Sequence, residues 1–283
     1  MRRLLVISLC IINACIAAGL LWFVFGNKPD RPMMLEQAAR ERLSDIEYWE
    51  QALSAESFRE ALFQLSQIED LETLKAQATQ EIEKLLPADQ PPLDRWPFFQ
   101  AVLQKYGSIA SNSGELSLLA QITSNTNQPI TLRDTAFRSY VENFSRLRAE
   151  AQADTPFVLI DKLFIEQNSL AETALQAEHF LAKNGVLLPE RALVFKERLK
   201  ATLRDQQQTE SMRITAFNIL RETHQLADLP LMQLYPGASV RLQTAILQAL
   251  TRSDASEAAT HWLETIQPTT PEQEQLRLRI LGQ

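Results

Sequence analysis

Residues 4–25, LLVISLCIINACIAAGLLWFVF, form a run of 22 residues without a single charge. At about 1.5 Å per residue, such a segment is long enough to cross a hydrocarbon layer roughly 30 Å thick, and this restricts the start of the chain to a membrane-spanning helix or a removable signal. Arg2 and Arg3 precede the run, and Trp22, Phe23 and Phe25 stand near its far end, where amphipathic rings favour the interface. Residues 1–26 therefore read as a signal anchor. The competing reading takes Leu4–Ile16 as the core of a cleaved signal cut after Ala17 or Gly19. That cut would leave Leu20-Leu21-Trp22-Phe23-Val24-Phe25 as an exposed apolar end. A lipoprotein signal centred on Cys15 fits less well, because Asn13 departs from the usual small or aliphatic residue. The short Met1-Arg2-Arg3 tail keeps the start in the cytoplasm and sends the body across a bacterial-type inner membrane into the periplasm; Lys28, Arg31, Arg40 and Arg42 argue for the opposite orientation.

Beyond the anchor the chain reads as all-α. Glycine is reduced to Gly107, Gly114, Gly185, Gly237 and Gly282, while Leu, Ala, Gln, Glu and Arg dominate. Without Arg2 and Arg3 the body carries 26 basic against 35 acidic groups, a net charge of −9. No stretch supplies the basic footprint that nucleic acid requires. Both cysteines, Cys10 and Cys15, lie in the apolar run, so the body has neither a disulfide framework nor a thiolate metal site.

Proline divides the body. Residues 27–34 form a stem in which Pro29 and Pro32 oppose helix continuation. Over 35–86, apolar residues recur at three- and four-residue steps (Phe58, Ala61, Leu62, Leu65; Leu71, Leu74, Ala78, Ile82, Leu85), which predicts a membrane-proximal helical region. Ser57-Phe58-Arg59-Glu60 has capping-box spacing and marks a helix start. Pro87, Pro91 and Pro92 make 87–94 a linker. Over 95–283, Pro129, Pro156, Pro189, Pro230, Pro236, Pro268 and Pro271 fall where the periodicity lapses, and Asn184-Gly185 suits a left-handed helix stop.

Self-similarity adds a period. Leu132-Arg133-Asp134-Thr135-Ala136-Phe137 resembles Leu170-Ala171-Glu172-Thr173-Ala174-Leu175, and both resemble Met212-Arg213-Ile214-Thr215-Ala216-Phe217; Val240-Arg241 and Leu276-Arg277 continue the theme. A period of about 40 residues made of two helices is what a two-helix solenoid requires, since neither helix buries its apolar face until a neighbouring pair stacks on it. On these residues the chain resembles the HEAT-repeat family over about 95–283, best over 211–265. The resemblance implies an α-solenoid of stacked helical hairpins presenting a face to a protein partner. The spacing is uneven and the usual inter-helix glycine is missing, so a tetratricopeptide-like hairpin array stays open beside it.

The search for chemistry excludes several classes. No P-loop, dinucleotide fingerprint or Gly-x-Ser-x-Gly elbow can be assembled from the separated glycines, and no His-Glu-x-x-His occurs. Glu257, His261 and Glu264 share a predicted helix face with metal-ligand spacing, but a solvated charged face beside a buried Trp262 is the reading preferred for them. Ala55-Glu56-Ser57-Phe58 resembles the catalytic-glutamate motif of lytic transglycosylases, but the Gly-Leu-Met-Gln stretch that should follow is absent, and Glu56 also serves as a first-turn acid. Arg133, Arg213, Arg241 and Arg277 either form an exposed ladder for an acidic partner or pair with acids of neighbouring units. Trp49, Trp96 and Trp262 read as core. The expectation is a non-enzymatic, cofactor-free, metal-free scaffold or adaptor that binds an envelope protein. The alternatives are a glycan-acting enzyme using Glu56 and coiled-coil self-association into a homo-oligomer through 35–86.

Overall fold

The computed structural model describes residues 43–87, 93–147, 155–166, 170–226, 229–250 and 257–282. The apolar run 4–25, the stem 27–34 and residues 35–42 lie outside them. Among the described residues no helix is long and apolar enough to cross a membrane. The chain forms two compact units, Met1–Tyr48 and Trp49–Gln283. Of the first, only residues 43–48 are described; there Ser44 and Glu47 cap the start of helix α1 (Asp45–Ser54) reciprocally, each side chain accepting the other's backbone amide at 3.3 and 2.7 Å.

The described part of the second unit is entirely helical. It runs through α2 (Phe58–Gln67), α3 (Leu71–Leu85), a 3-10 turn (Leu93–Arg95), α4 (Trp96–Ile109), α5 (Ser113–Ser124), α6 (Ile130–Arg146) and α7 (Thr155–Ile165). It continues with α8 (Leu170–Lys183), α9 (Pro189–Arg204), α10 (Glu210–Glu222), α11 (Leu231–Leu234), α12 (Val240–Leu250), α13 (Glu257–Thr265) and α14 (Pro271–Ile280). Starts follow the expected chemistry: Ser57, Asp70, Asn112, Thr209 and Thr270 accept first-turn amides with their side chains, and Pro189 and Pro271 occupy first positions where no amide is missed.

Alternate helices form a row. α2 packs on α4, α4 on α6, α6 on α8, α8 on α10, α10 on α12 and α12 on α14, while α5, α7 and α9 each pack against the row member that follows. The row buries apolar residues at helical steps: Leu132, Ala136 and Phe137 of α6 are buried, and Ala171 and Leu175 of α8, Met212, Ala216 and Phe217 of α10, and Leu242, Ile246 and Leu247 of α12 share one core cluster. Gly107 of α4 lets this row close up, because a Cβ there would stand 2.5 Å from the Ser139 Cβ of α6. The expected linker at 87–94 joins helices of this same unit, since α2 and α3 both pack on α4.

Three hairpin turns repeat. Residues 121–130 and 201–210 have identical backbone classes, and 231–240 differs from them at one position only. Gln128 and Gln208 return their amides to Asn125 and Asp205 at 3.1 and 3.3 Å, and the two acceptors' side chains hold Asn127 and Gln207. This superposition pairs Leu242-Gln243 with Met212-Arg213 and Leu132-Arg133. The repeated register thus places Gln243 rather than Arg241 opposite Arg213.

Helix ends repeat as well. At the end of α8, Val186 donates to Leu181 at 2.9 Å across Gly185, whose φ is +64°. At the end of α10, Gln225 donates to Leu220 at 2.8 Å in the same way across His224, whose φ is +56°. A side chain in the left-handed region costs about 1–2 kcal/mol, and glycine removes that cost. His224→Gly is expected to raise the urea midpoint, by about 1 kcal/mol of stability after the larger entropy of the unfolded glycine is counted. Equilibrium unfolding followed by circular dichroism checks it, and His224→Ala should give no gain.

Candidate interaction surfaces

The four arginines singled out by the repeat have different fates. Arg133 and Arg213 are only 4% and 7% exposed. Arg133 Nε donates to the Thr123 carbonyl of α5 at 2.8 Å, and Arg213 Nε to the Leu203 carbonyl of α9 at 3.1 Å, each at the next-to-last residue of the preceding helix. Those last carbonyls have no partner in their own helix. Each guanidinium then reaches forward: Arg133 to Glu166 at 2.8 Å, and Arg213 to the Gly237 carbonyl of the next turn at 3.0 Å. Arg277 is shared between Glu274 at 2.8 Å and the Leu263 carbonyl of α13 at 3.4 Å. Arg241 is exposed and has no polar partner among the described residues. The series therefore does not form one exposed ladder; two members are internal staples, one is tied down beside its own helix, and one is free.

An ionic ring that the sequence reading missed joins α7, α8 and α9. Glu178 of α8 is fully buried and accepts from Arg191 Nε at 2.5 Å and from Arg198 Nη1 at 2.7 Å. Arg191 also grips Asp161 of α7 with two bonds of 2.8 Å, and Arg198 donates to the same carboxylate. Two carboxylates and two guanidiniums thus alternate with no net charge. Phe157 and Phe164 lie 5.1 and 4.9 Å from the Arg191 and Arg198 carbons and cover their planes. Burial pushes the Glu178 carboxyl up from its ordinary value, against the two guanidiniums. Burial works the same way on Asp161, but there the hydrogen bonds and charges of Arg191 and Arg198 prevail and hold the carboxyl below its ordinary value. The available signal was the spacing of Arg191, Phe195, Arg198 and Leu199, which puts two cations beside the buried stripe of one helix.

Exposed aliphatic residues stand around this ring. Val158 and Ile165 flank Asp161 on the same side of α7, and Val194 lies between Arg191 and Arg198 on α9. With Leu188 and Leu193 they make five large aliphatic residues, each half or more exposed. On α9, Phe195, Leu199, Thr202 and Leu203 are buried, and the exposed side mixes Leu193 and Val194 with Glu190, Glu197 and Arg204. Leu159, Ile160 and Leu163 fill the inner side of α7, so that helix is apolar nearly all round.

The remaining candidates are separated. Glu56 is exposed in the bend between α1 and α2, whereas protonating a glycosidic oxygen asks for a buried carboxyl. His261 is 82% exposed on α13 and stands 3.6 Å from Glu264, and among the described residues no group of three His, Cys, Asp or Glu is arranged to hold a metal ion. Trp49 packs edge-on against Phe98 at 5.5 Å, and Trp262 against Tyr235 at 5.3 Å. The apolar stripes of α2 and α3, a coiled-coil seam in the sequence reading, are buried within the unit through Ala61, Leu65, Leu74, Ala78 and Ile82. Compared with known proteins, the chain matches no family model, no curated protein and no solved structure.

Removing one member of the ring leaves Glu178 buried with half its partners, so Arg198→Met is expected to cost about 3–5 kcal/mol in urea unfolding. Asp161 sets the pH dependence. Its folded value lies below its unfolded one, so its contribution is complete above the ordinary aspartate value near 3.9 and is lost as pH falls through the depressed folded value. The difference in melting temperature between the wild type and Asp161→Asn should therefore persist from neutral pH down to about 4 and shrink below it.

Proposed function

We propose that this chain is a membrane-tethered helical-repeat scaffold, an α-solenoid of HEAT-like hairpins whose body faces the periplasm and binds a protein partner there. The observation that carries the reading is the outer surface of α7 and α9. A body that buries Phe137, Phe217 and Leu247 leaves Val158, Ile165, Leu188, Leu193 and Val194 in water. Exposed aliphatic residues gathered on neighbouring helices mark an interaction surface. The ring neutralises its own charges, so the exposed Glu190 and Glu197 beside Leu193 and Val194 are the groups on α9 that ask for polar partners when this face is covered. Partner recognition on such a face rests on apolar anchors, with Val194 and Ile165 as the central ones.

The row of alternately packed helices and its recurring turns support the repeat reading, since each hairpin completes its core only against the next. The uncharged run 4–25 and the Arg2-Arg3 tail support the anchor and its orientation.

A photo-reactive phenylalanine analogue placed at Val194 of the full chain should cross-link in cells to one discrete protein, and Val158→Asp with Ile165→Asp should abolish that product without lowering the melting temperature. A product that is only the chain's own dimer, or none, would exclude the reading. Protease added to spheroplasts should digest the body while a C-terminally tagged chain of full-length mass stays with the membrane; protection until lysis would reverse the orientation.

A further inference from the structure

The free member of the arginine series opens a second, separate site. Between α12 and α14 lies a cleft of about 370 Å³ lined by Val240, Arg241, Thr244, Gln248, Thr270 and Glu272, among others. The preceding steps of the row show what it lacks. Between α6 and α8, Asp134 accepts from the Thr173 hydroxyl at 2.6 Å. Between α8 and α10, Glu172 accepts from Ser211 and Thr215 at 2.6 and 2.9 Å. Between α10 and α12, Glu210 at the first position of α10 accepts at 2.8 Å from Ser239, the residue whose hydroxyl caps α12. Each of these steps is closed by a carboxylate meeting a hydroxyl.

At the last step Gln273 of α14 supplies the crossing bonds, its amide donating to the Val240 carbonyl and the Thr244 hydroxyl, both at 3.1 Å, and no carboxylate meets the Thr270 hydroxyl among the described residues. Thr270 caps α14 as Ser239 caps α12, each accepting the amide three residues on. The superposed turns put Val240 where α10 has Glu210, and Arg241 where α10 has Ser211. A methyl-bearing side chain thus replaces the closing acid, and an unpaired guanidinium stands beside it. The positive end of the α14 dipole faces the same space. Glu272 is the one acid among the lining residues; the Gln248 amide approaches it at 3.5 Å.

We infer that this cleft binds an acidic side chain of an extended peptide segment, whose carboxylate takes the place that Glu210 fills one step earlier. It accepts from Arg241 and from the Thr270 hydroxyl, while Val240, Ala245 and Pro271 contact the neighbouring residues of the peptide. A planar guanidinium with several donors suits a carboxylate. Glu272 weakens the site, which limits it to one acid rather than a run of them. The inference deepens the scaffold reading by naming a chemistry for a partner segment, but it uses a different surface from α7 and α9.

The probe is a random dodecapeptide library displayed on phage and panned against the full chain. Peptides carrying Asp or Glu should be enriched, and synthetic copies should bind Arg241→Gln at least tenfold more weakly and Glu272→Gln more tightly. Arg241→Glu should select basic peptides instead. All three variants alter side chains at the cleft mouth and should melt with the wild type. Absence of enrichment, enrichment without acids, or equal affinity for Arg241→Gln would overturn the inference. Loss of the Val194 cross-link with retained acidic-peptide binding would sink the α7–α9 reading alone, and the reverse pattern would sink the cleft alone.

Discussion

The last carbonyls of an α-helix have nothing to bond within their own helix, and the way this molecule satisfies them organises the described unit. The donors come from later helices and, for Gln128, from the turn before α6. Gln128 reaches the Leu85 carbonyl at 2.6 Å, Asn143 and Arg146 converge on Ala110 at 3.0 and 2.7 Å, Arg133 takes Thr123 and Arg213 takes Leu203. Each bond fixes where one helix stops relative to the next. It also brings a polar side chain into the interior with a bonded donor, although the Gln128 Oε1 stays without a partner there. Arg133 and Arg213 go further by bonding both the turn before and the segment after, so a single side chain sets the spacing of two hairpins.

The ring at α7, α8 and α9 answers a different demand. Glu178 is placed where no water can reach it, and only two guanidiniums at hydrogen-bonding distance make that position acceptable. Committing Arg191 and Arg198 to the interior leaves α9 with Leu193 and Val194 on its outer side. The two arginines lie at the edge of the stripe of Phe195, Leu199 and Leu203, and Val194, one turn from each of them, is turned to solvent by the same orientation of the helix. Arg241 presents the opposite case: a cation left in solvent, with Glu272 as the one acid among the residues lining its cleft.

Much of the helix plan was legible in the sequence because it depends on local chemistry. Ser57 starts α2 by accepting the Glu60 amide at 3.3 Å, Gly185 ends α8 in the left-handed region, and the prolines fall at helix starts and turns. The likeness of Leu132-Arg133 to Met212-Arg213 was legible, and all four residues are buried. The register of the next unit was not, because Val240-Arg241 copies the residue types of the motif while the turn before it places Leu242 in the buried position. The ionic ring escaped notice since its members lie on three helices and their sequence separations, up to 37 residues, follow no motif. The inter-helix glycine expected after α10 is replaced by His224, which adopts the glycine conformation at an energetic cost that residue type alone does not reveal.

Where α6 carries Arg133 and α10 carries Arg213, α8 carries Ala171, which has no side chain to bond the carbonyls before it. The row is therefore stapled on both sides of α8 and unstapled at its start. The step from α6 to α8 is tied instead by Thr173 of α8, which donates to Asp134 and accepts from Arg138. The apolar cluster of Ala171, Leu175 and the later helices excludes Leu132, Ala136 and Phe137 of α6, so the seam for a partial opening lies between a block ending at α6 and a block beginning at α8. Amide exchange at the start of α8 would then occur through a partial opening, and helices on either side would exchange as two groups with different protection. A molecule divided in this way can yield at one internal joint under load while each block keeps its own core.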